Sequence, residues 1–129
     1  MTKPAESGAR TVVIVEDDAG TQRALERVLR AGGFETDAYH SAEAFLASSP
    51  RVRPLCLILD VHLGGMSGLE LQRLLRTGGS TMPIVIMTAF DDLAHREEAC
   101  RDGCLAYLPK ESDAEQLLDI LQTLAERQT

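Results

Sequence analysis

Hydrophobic residues in this chain occur in short uninterrupted runs, each followed at once by polar residues. The clearest run covers residues 55–59 and stops abruptly at Asp60. Similar runs cover residues 11–15, 83–87 and 104–108. Apolar runs of this length are typical of strands that are buried on both faces, as in a parallel sheet covered by helices. The pattern therefore predicts four central strands.

The segments between these runs have the spacing of amphipathic helices. We predict helices at about 20–30, 41–47, 67–76, 91–101 and 112–124. Asp18 and Ser41 are expected to cap the first two, and the capping-box spacing of Ser67 with Glu70, repeated from Ser112, opens the third and fifth. The segment 91–101 has a thin apolar face. Because packing anchors most helices, we expect that helix to be weakly held.

A fifth strand is predicted at residues 34–39, where the alternating character suits an edge strand with one solvated face. Five strands that alternate with five helices predict an α/β, doubly wound, flavodoxin-like (βα)5 fold with a parallel sheet and right-handed crossovers. Placing strand two at an edge gives the strand order 2-1-3-4-5, with a switch point between strands one and three. We expect one domain over residues 11–126, preceded by a mobile polar tail at 1–10.

Composition narrows the function classes. The chain has 129 residues and a formal net charge of -7, which argues against direct nucleic-acid binding. No apolar run approaches the length of a membrane helix, so no membrane interaction is predicted. Cys56, Cys100 and Cys104 lack the spacing of a metal site and are expected to stay reduced in a cytoplasmic protein.

Polar groups follow four of the predicted strands where each strand ends. These residues are Glu16, Asp17, Asp60, Thr88 and Lys110. The carboxyl ends of parallel strands share one edge of the sheet, where open α/β folds bind their ligands. Crowded carboxylates repel one another, and a divalent cation compensates for that repulsion. Ligands that are all oxygens suit Mg²⁺, with Mn²⁺ as a substitute.

The order of these groups, with an acid pair, a single Asp, Thr-Ala and then Lys, resembles the receiver domains of two-component response regulators. The resemblance covers about residues 11–124. It implies that Asp60 accepts a phosphoryl group, with Thr88 and Lys110 contacting that group. It also implies that Asp17 and Asp60 bind Mg²⁺ directly, that Glu16 acts mainly through water, and that the backbone carbonyl of His62 is a further ligand.

Three more positions carry roles in receivers. Tyr107 matches the aromatic switch residue, whose ring turns inward as Thr88 moves toward the phosphoryl group. His62 and Phe90 match two variable positions beside the path of the attacking water, where Phe90 either shields the phosphoryl group or only packs against the fourth helix. One position departs from the family pattern, because Glu111 follows Lys110 where receivers commonly have proline.

The resemblance implies a regulatory phosphoacceptor rather than an enzyme with an external product. A histidine kinase or a histidine phosphotransfer protein would phosphorylate Asp60, and the face of the fourth helix, fifth strand and fifth helix would change. A homodimer formed through that face on phosphorylation is a further expectation. Two alternatives stay open. One is an aspartate-nucleophile phosphohydrolase, which normally has a second acid where His62 stands. The other is a receiver-like binding module that is not phosphorylated.

Overall fold

The computed structural model describes residues 10–48, 53–90 and 92–127. Strands and helices alternate along these segments. The strands are β1 (Thr11–Val15), β2 (Glu35–Tyr39), β3 (Cys56–Asp60), β4 (Ile84–Thr88) and β5 (Ala106–Pro109). The helices are α1 (Ala19–Ala31), α2 (Ala42–Ala47), α3 (Gly68–Thr77), α4 (Leu93–Arg101) and α5 (Ala114–Arg127). Most of the predicted tail, residues 1–9, lies outside the described residues, as does Asp91.

All five strands form one parallel sheet in the order β2-β1-β3-β4-β5. The predicted fold class and strand order are therefore confirmed. β3 and β4 are buried along their whole length, whereas the edge strand β2 has exposed and half-buried residues. Among the described residues, no helix is both long and apolar enough to cross a membrane.

The hydrophobic core has one layer on each face of the sheet, because successive strand residues point to opposite faces. Ile14, Ile58 and Val85 pack with Leu29 of α1 and with Leu121 of α5. The next residues along those strands belong to the second layer, which includes α3 and α4 and is represented by Val15, Leu59, Leu71, Ile86, Ala99 and Tyr107. The two layers hold the carboxyl ends of the strands at a common edge.

Three of the predicted helix caps form as expected. Asp18 accepts a hydrogen bond from the backbone N–H of Thr21 at 2.8 Å, and Ser41 accepts one from Ala44. Ser67 and Glu70 form a complete capping box. The start of α5 differs from prediction, because the backbone N–H of Ser112 donates to Pro109 in a turn. Asp113 then precedes the helix directly, and its side chain accepts from Glu115 at 3.0 Å.

α4 is anchored at one end more than at the other. Of its described residues only Ala99 is buried, and Leu93 in its first turn is 70% exposed. At its C-terminal end, the fully buried Gln72 of α3 donates to the carbonyls of Ala99 and Asp102 at 3.1 and 3.2 Å. Arg76 of α3 donates to Asp102 at 3.0 Å. The predicted weak packing of α4 thus applies mainly to its first turns.

Candidate functional site

The polar residues predicted at the strand ends lie together at the carboxyl edge of the sheet. β1 and β3 are neighbours at the switch point, so Glu16 directly after β1 lies close to Asp60 at the end of β3. Both carboxylates are almost completely enclosed, with 2% and 5% exposure. Asp17, the next residue, is exposed to solvent. The site therefore combines two buried acids with one accessible acid.

Lys110 connects the two buried acids. Its Nζ lies 2.7 Å from Glu16 Oε1 and 2.9 Å from Asp60 Oδ2. Burial acts to lower the pKa of Lys110, but its hydrogen bonds to both carboxylates and their charges together raise that pKa. For Glu16 the balance is the reverse. Burial and the nearby charge of Asp60 together raise the pKa of the Glu16 carboxyl more than the hydrogen bonds from Lys110 and Asp18 and the Lys110 charge lower it.

The three acids form a group that fits a hard divalent cation. One carboxylate oxygen from each of Glu16, Asp17 and Asp60 lies within 4.8 Å of the others. Only oxygen ligands converge there, which is the donor set that Mg²⁺ and Mn²⁺ take in proteins. The desolvation of Glu16 is a further reason for a cation to bind, because added positive charge would stabilise its ionised form. The predicted acid cluster is thus brought together by the fold.

Backbone groups orient the two buried acids from the other side. The backbone N–H of His62 donates to Asp60 Oδ1 at 3.1 Å, and that of Asp18 donates to Glu16 Oε2 at 3.1 Å. Asp60 is thus held by Lys110 on one oxygen and by the following loop on the other. Its carboxylate has a defined orientation before any reaction partner arrives.

Gly68 is a residue of the site that the sequence reasoning missed. It opens α3, and a Cβ at this position would overlap the backbone oxygen of Asp60. Its own N–H donates to the carbonyl of Val61 at 3.1 Å. This close approach packs the start of α3 against the end of β3. A lone glycine after a Gly-rich loop carried no signal that distinguished it from a turn residue.

Thr88 lies at the end of β4 with its side chain directed into the following loop. Its hydroxyl donates to the carbonyl of Phe90 at 3.1 Å and accepts from the backbone N–H of Phe90 at 3.2 Å. The residue is fully buried. The backbone N–H of Lys110 donates to the carbonyl of Thr88 at 2.8 Å, which joins the ends of β4 and β5.

Three other predicted positions have surroundings that the sequence did not show. Tyr107 is buried, with 9% exposure, and the Arg96 guanidinium lies 4.9 Å from its ring centroid. His62 is exposed, as expected for a loop residue. Its ring contacts Phe90 at 5.4 Å and His95 at 5.5 Å between centroids, both edge to face. Nothing in the sequence indicated the contact with His95.

The Lys110–Glu111 departure from the family pattern does not disturb the lysine. The described residues contain no cis peptide bond. Lys110 still reaches both carboxylates, so the glutamate in place of proline is compatible with the site.

A family model for the response regulator receiver domain matches residues 12–122. The chain belongs to the response regulator receiver domain family. It is 39% identical over 113 residues to the response regulator protein FleR of Pseudomonas aeruginosa. It is 33% identical over 123 residues to the nodulation protein W of Bradyrhizobium diazoefficiens. Receiver domains are regulatory signalling domains, and this chain has their acid cluster at the expected edge.

Solved structures agree with this assignment. The receiver resembles the crystal structure of FixJ-N with a TM-score of 0.80 and 31% identity, covering 90% of this chain and 93% of that one. A receiver protein from Pseudoalteromonas atlantica has a TM-score of 0.87 at 21% identity, covering 92% and 99%, which shows the shared fold. The alignments cover 88% of the receiver but 24% of FleR, and 95% of it but 54% of nodulation protein W. The receiver thus spans about half or less of these curated relatives.

Proposed function

We propose that this receiver is a phosphoacceptor switch that is phosphorylated on Asp60 in the presence of Mg²⁺ or Mn²⁺. The observation that carries this proposal is the position of the Asp60 carboxylate. It lies at the switch point of the sheet, 2.9 Å from Lys110 and within a cluster of three acids. The donor in this proposal is a phosphohistidine of a histidine kinase or a histidine phosphotransfer protein in the cytoplasm.

The chemistry requires a nucleophilic carboxylate and compensation of negative charge. An oxygen of Asp60 forms a bond to phosphorus while the bond from phosphorus to the donor nitrogen breaks, and the nitrogen keeps the electron pair. Glu16, Asp17, Asp60 and the His62 carbonyl would hold the cation. A bound cation would supply positive charge beside the phosphoryl oxygens. The Lys110 ammonium adds charge from the protein, and Thr88 becomes a hydrogen-bond donor to a phosphoryl oxygen.

The surface beside Asp60 supports docking of a phosphodonor protein. A cleft of about 170 Å³ lies between α1 and the loop from β5 to α5, and Lys110 lies on its wall. Its other walls are largely apolar, with Ala24, Leu25 and Leu117 among them. Because Lys110 also contacts Asp60, an apolar cleft that includes Lys110 suits a partner that must bring its histidine to that carboxylate.

A second cleft supports the proposed output face. It has a volume of about 320 Å³ and lies between β5 and α5, lined by Leu105, Ala106, Ile120 and Leu124 together with polar residues. Leu105 is partly exposed there. We place the phosphorylation-dependent homodimer at this face, which α4, β5 and α5 form. The regulatory role follows from such contacts, not from turnover of an external substrate.

The test is incubation with a small-molecule phosphodonor such as acetyl phosphate, followed by intact-mass measurement. Wild type should gain one phosphoryl group with Mg²⁺ and none with excess EDTA. Asp60→Asn should gain none, whereas Asp119→Asn, which changes an exposed acid on α5, should behave as wild type. Labelling of Asp60→Asn at the wild-type level, or labelling without a divalent cation, would contradict the proposal.

A further inference from the structure

A cluster of three aromatic rings links the two loops beside Asp60 to the first turns of α4. His62 lies in the loop after β3, Phe90 lies in the loop after β4, and His95 lies in α4. The His62 ring is in the middle, 5.4 Å from Phe90 and 5.5 Å from His95, with interplanar angles of 83° and 68°. Edge-to-face contacts at these distances are attractive. The rings therefore connect three segments that are separate in sequence.

One end of this cluster is tied to Thr88. The Thr88 hydroxyl has one proton, and that proton is donated to the carbonyl of Phe90. If the Thr88 hydroxyl donated to a phosphoryl oxygen on Asp60, its hydrogen bond to the Phe90 carbonyl would have to break. The loss of this bond, and of the bond that Thr88 accepts from the Phe90 N–H, would free the backbone that carries the Phe90 ring.

The other end of the cluster lies in the part of α4 that is least anchored. Leu93 is 70% exposed, and Ala94 is also exposed. The C-terminal end is held by Gln72 and Arg76 through hydrogen bonds of 3.0 to 3.2 Å to backbone carbonyls. A displacement at the ring cluster would therefore move the first turns of α4 about an end that stays in place.

Tyr107, at which the family resemblance implies an aromatic switch, is buried here. Tyr107 is buried in the core layer that contains Ile86 and Ala99, with Arg96 over its ring. In the same structure the Thr88 hydroxyl is bonded to Phe90. Thr88 bonded to Phe90 and a buried Tyr107 thus occur together in this structure, and the ring cluster is a separate contact between the loop after β4 and α4.

We propose that the Phe90–His62–His95 cluster carries the state of Thr88 to α4, with His95 as the positioning residue on the helix. This inference rests on the proposed phosphorylation of Asp60, because only a new acceptor beside Asp60 would draw the Thr88 hydroxyl away from Phe90. The coupled elements are the loop after β4 and the first turns of α4. The position of α4 then differs between the two states.

The experiment uses beryllofluoride with Mg²⁺ as a stable phosphoryl mimic and follows hydrogen exchange of peptides from α4. Wild type should show a change in exchange of α4 when the mimic binds. His95→Ala should reduce that change about fivefold. Binding of the mimic, measured by calorimetry, should stay close to wild type, because His95 contacts the ring of His62 whereas the proposed ligand of the cation is the His62 backbone carbonyl. His95→Phe keeps a ring at this position and should retain the response.

A double-mutant comparison separates a positioning role from a merely structural one. If His95 acts through His62, then His95→Ala added to His62→Ala should cause little further loss. Glu97→Ala, at an exposed position of the same helix, is the matched control and should respond as wild type. Melting temperatures of all variants establish that each is folded.

The outcomes distinguish this proposal from the function on which it rests. A full α4 response in both His95→Ala and Phe90→Ala would overturn the ring route. So would mimic binding to wild type without any change in α4. Failure of wild type to bind the mimic at all would overturn the proposed phosphorylation itself, and the ring route with it.

Discussion

Lys110 lies 2.7 Å from Glu16, and this contact places the main positive charge of the site between two buried acids. The same ammonium lies 2.9 Å from Asp60. One cation thus partly neutralises two carboxylates that the fold has taken out of water. Because burial still raises the pKa of Glu16, the compensation is incomplete. The site keeps a demand for positive charge that a divalent cation would meet.

Replacement of Lys110 should lower the stability of the protein, because the two buried carboxylates then lack a positive charge. In Lys110→Met the buried acids lose their counter-charge while most of the apolar stem is kept. We expect the free energy of unfolding at pH 7 without metal to fall by about 3 kcal/mol. Urea denaturation measures this, and added Mg²⁺ should recover part of the loss. Equal stability of the variant and wild type without metal would show that the ion pair contributes nothing.

Removal of the exposed acid should have the opposite effect on the metal-free protein. Asp17→Ala relieves repulsion among the carboxylates, so its melting temperature without Mg²⁺ should hold or rise. Stabilisation by Mg²⁺ should shrink, by about 1.4 kcal/mol for each tenfold loss of affinity at saturating metal. Thermal melts with and without Mg²⁺ test both effects, with Asp119→Ala as the control. A variant that binds Mg²⁺ as tightly as wild type would place the metal site elsewhere.

Glu43 gives a prediction about pH. Its carboxylate accepts a 2.8 Å hydrogen bond from the backbone N–H of Met66, which lowers the pKa of Glu43 below its ordinary value of 4.5. A lowered pKa in the folded state contributes stability above pH 4.5, and that contribution is lost as pH falls through the folded value.

Glu43→Gln should therefore be less stable than wild type at pH 7, with a difference that shrinks as the pH falls below about 4.5. The measurement is the urea midpoint of each protein at about pH 7, 5 and 3. The exposed Glu35→Gln in β2 serves as the control. A difference that stays constant over this range would mean that the Glu43 charge has no part in the effect.

Gln72 should determine how firmly the end of α4 is held. Gln72→Met keeps the volume but removes the donor to Ala99 and Asp102. We expect the free energy of unfolding to fall by about 1 kcal/mol, because two hydrogen bonds are lost while both carbonyls keep another donor. Amides in the last turn of α4 should exchange faster. Arg73→Ala, at an exposed position of α3, should change neither quantity. Unchanged exchange in Gln72→Met would assign the anchoring to Arg76 instead.

Phe90 should influence how long the phosphoryl group remains on Asp60. Its ring is 68% exposed but rests on His62, which places it between the loops beside the site. Phe90→Glu introduces a group able to orient water, and a barrier change of about 1.4 kcal/mol would speed loss of phosphate about tenfold. Decay after removal of the phosphodonor is the measurement. Phosphorylated Phe90→Leu should lose phosphate much more slowly than phosphorylated Phe90→Glu. Equal rates of phosphate loss in wild type and Phe90→Glu would show that the Phe90 ring only packs against its neighbours.

The sequence by itself determined the fold and the membership of the acid cluster. Apolar runs fix which segments are strands, and the one-sided pattern of residues 34–39 places that strand at an edge. Since all strands are parallel, Glu16, Asp17 and Asp60 must then meet at one edge of the sheet. These conclusions depend only on local periodicity and on the chirality of βα units, and both can be inferred from the amino-acid sequence.

Tertiary structure alone decided the contacts between loops and between helices. His62 and His95 meet because the loop after β3 and the start of α4 converge, and no periodicity encodes the path of a loop. Gln72 caps the end of α4 because α3 and α4 pack side by side. From the sequence alone, a glutamine in α3 would be expected at the surface. The burial of Tyr107 depends on its packing in the core layer with Ile86 of β4 and Ala99 of α4. Such contacts arise from three-dimensional packing between segments distant in sequence, so the chain order does not reveal them.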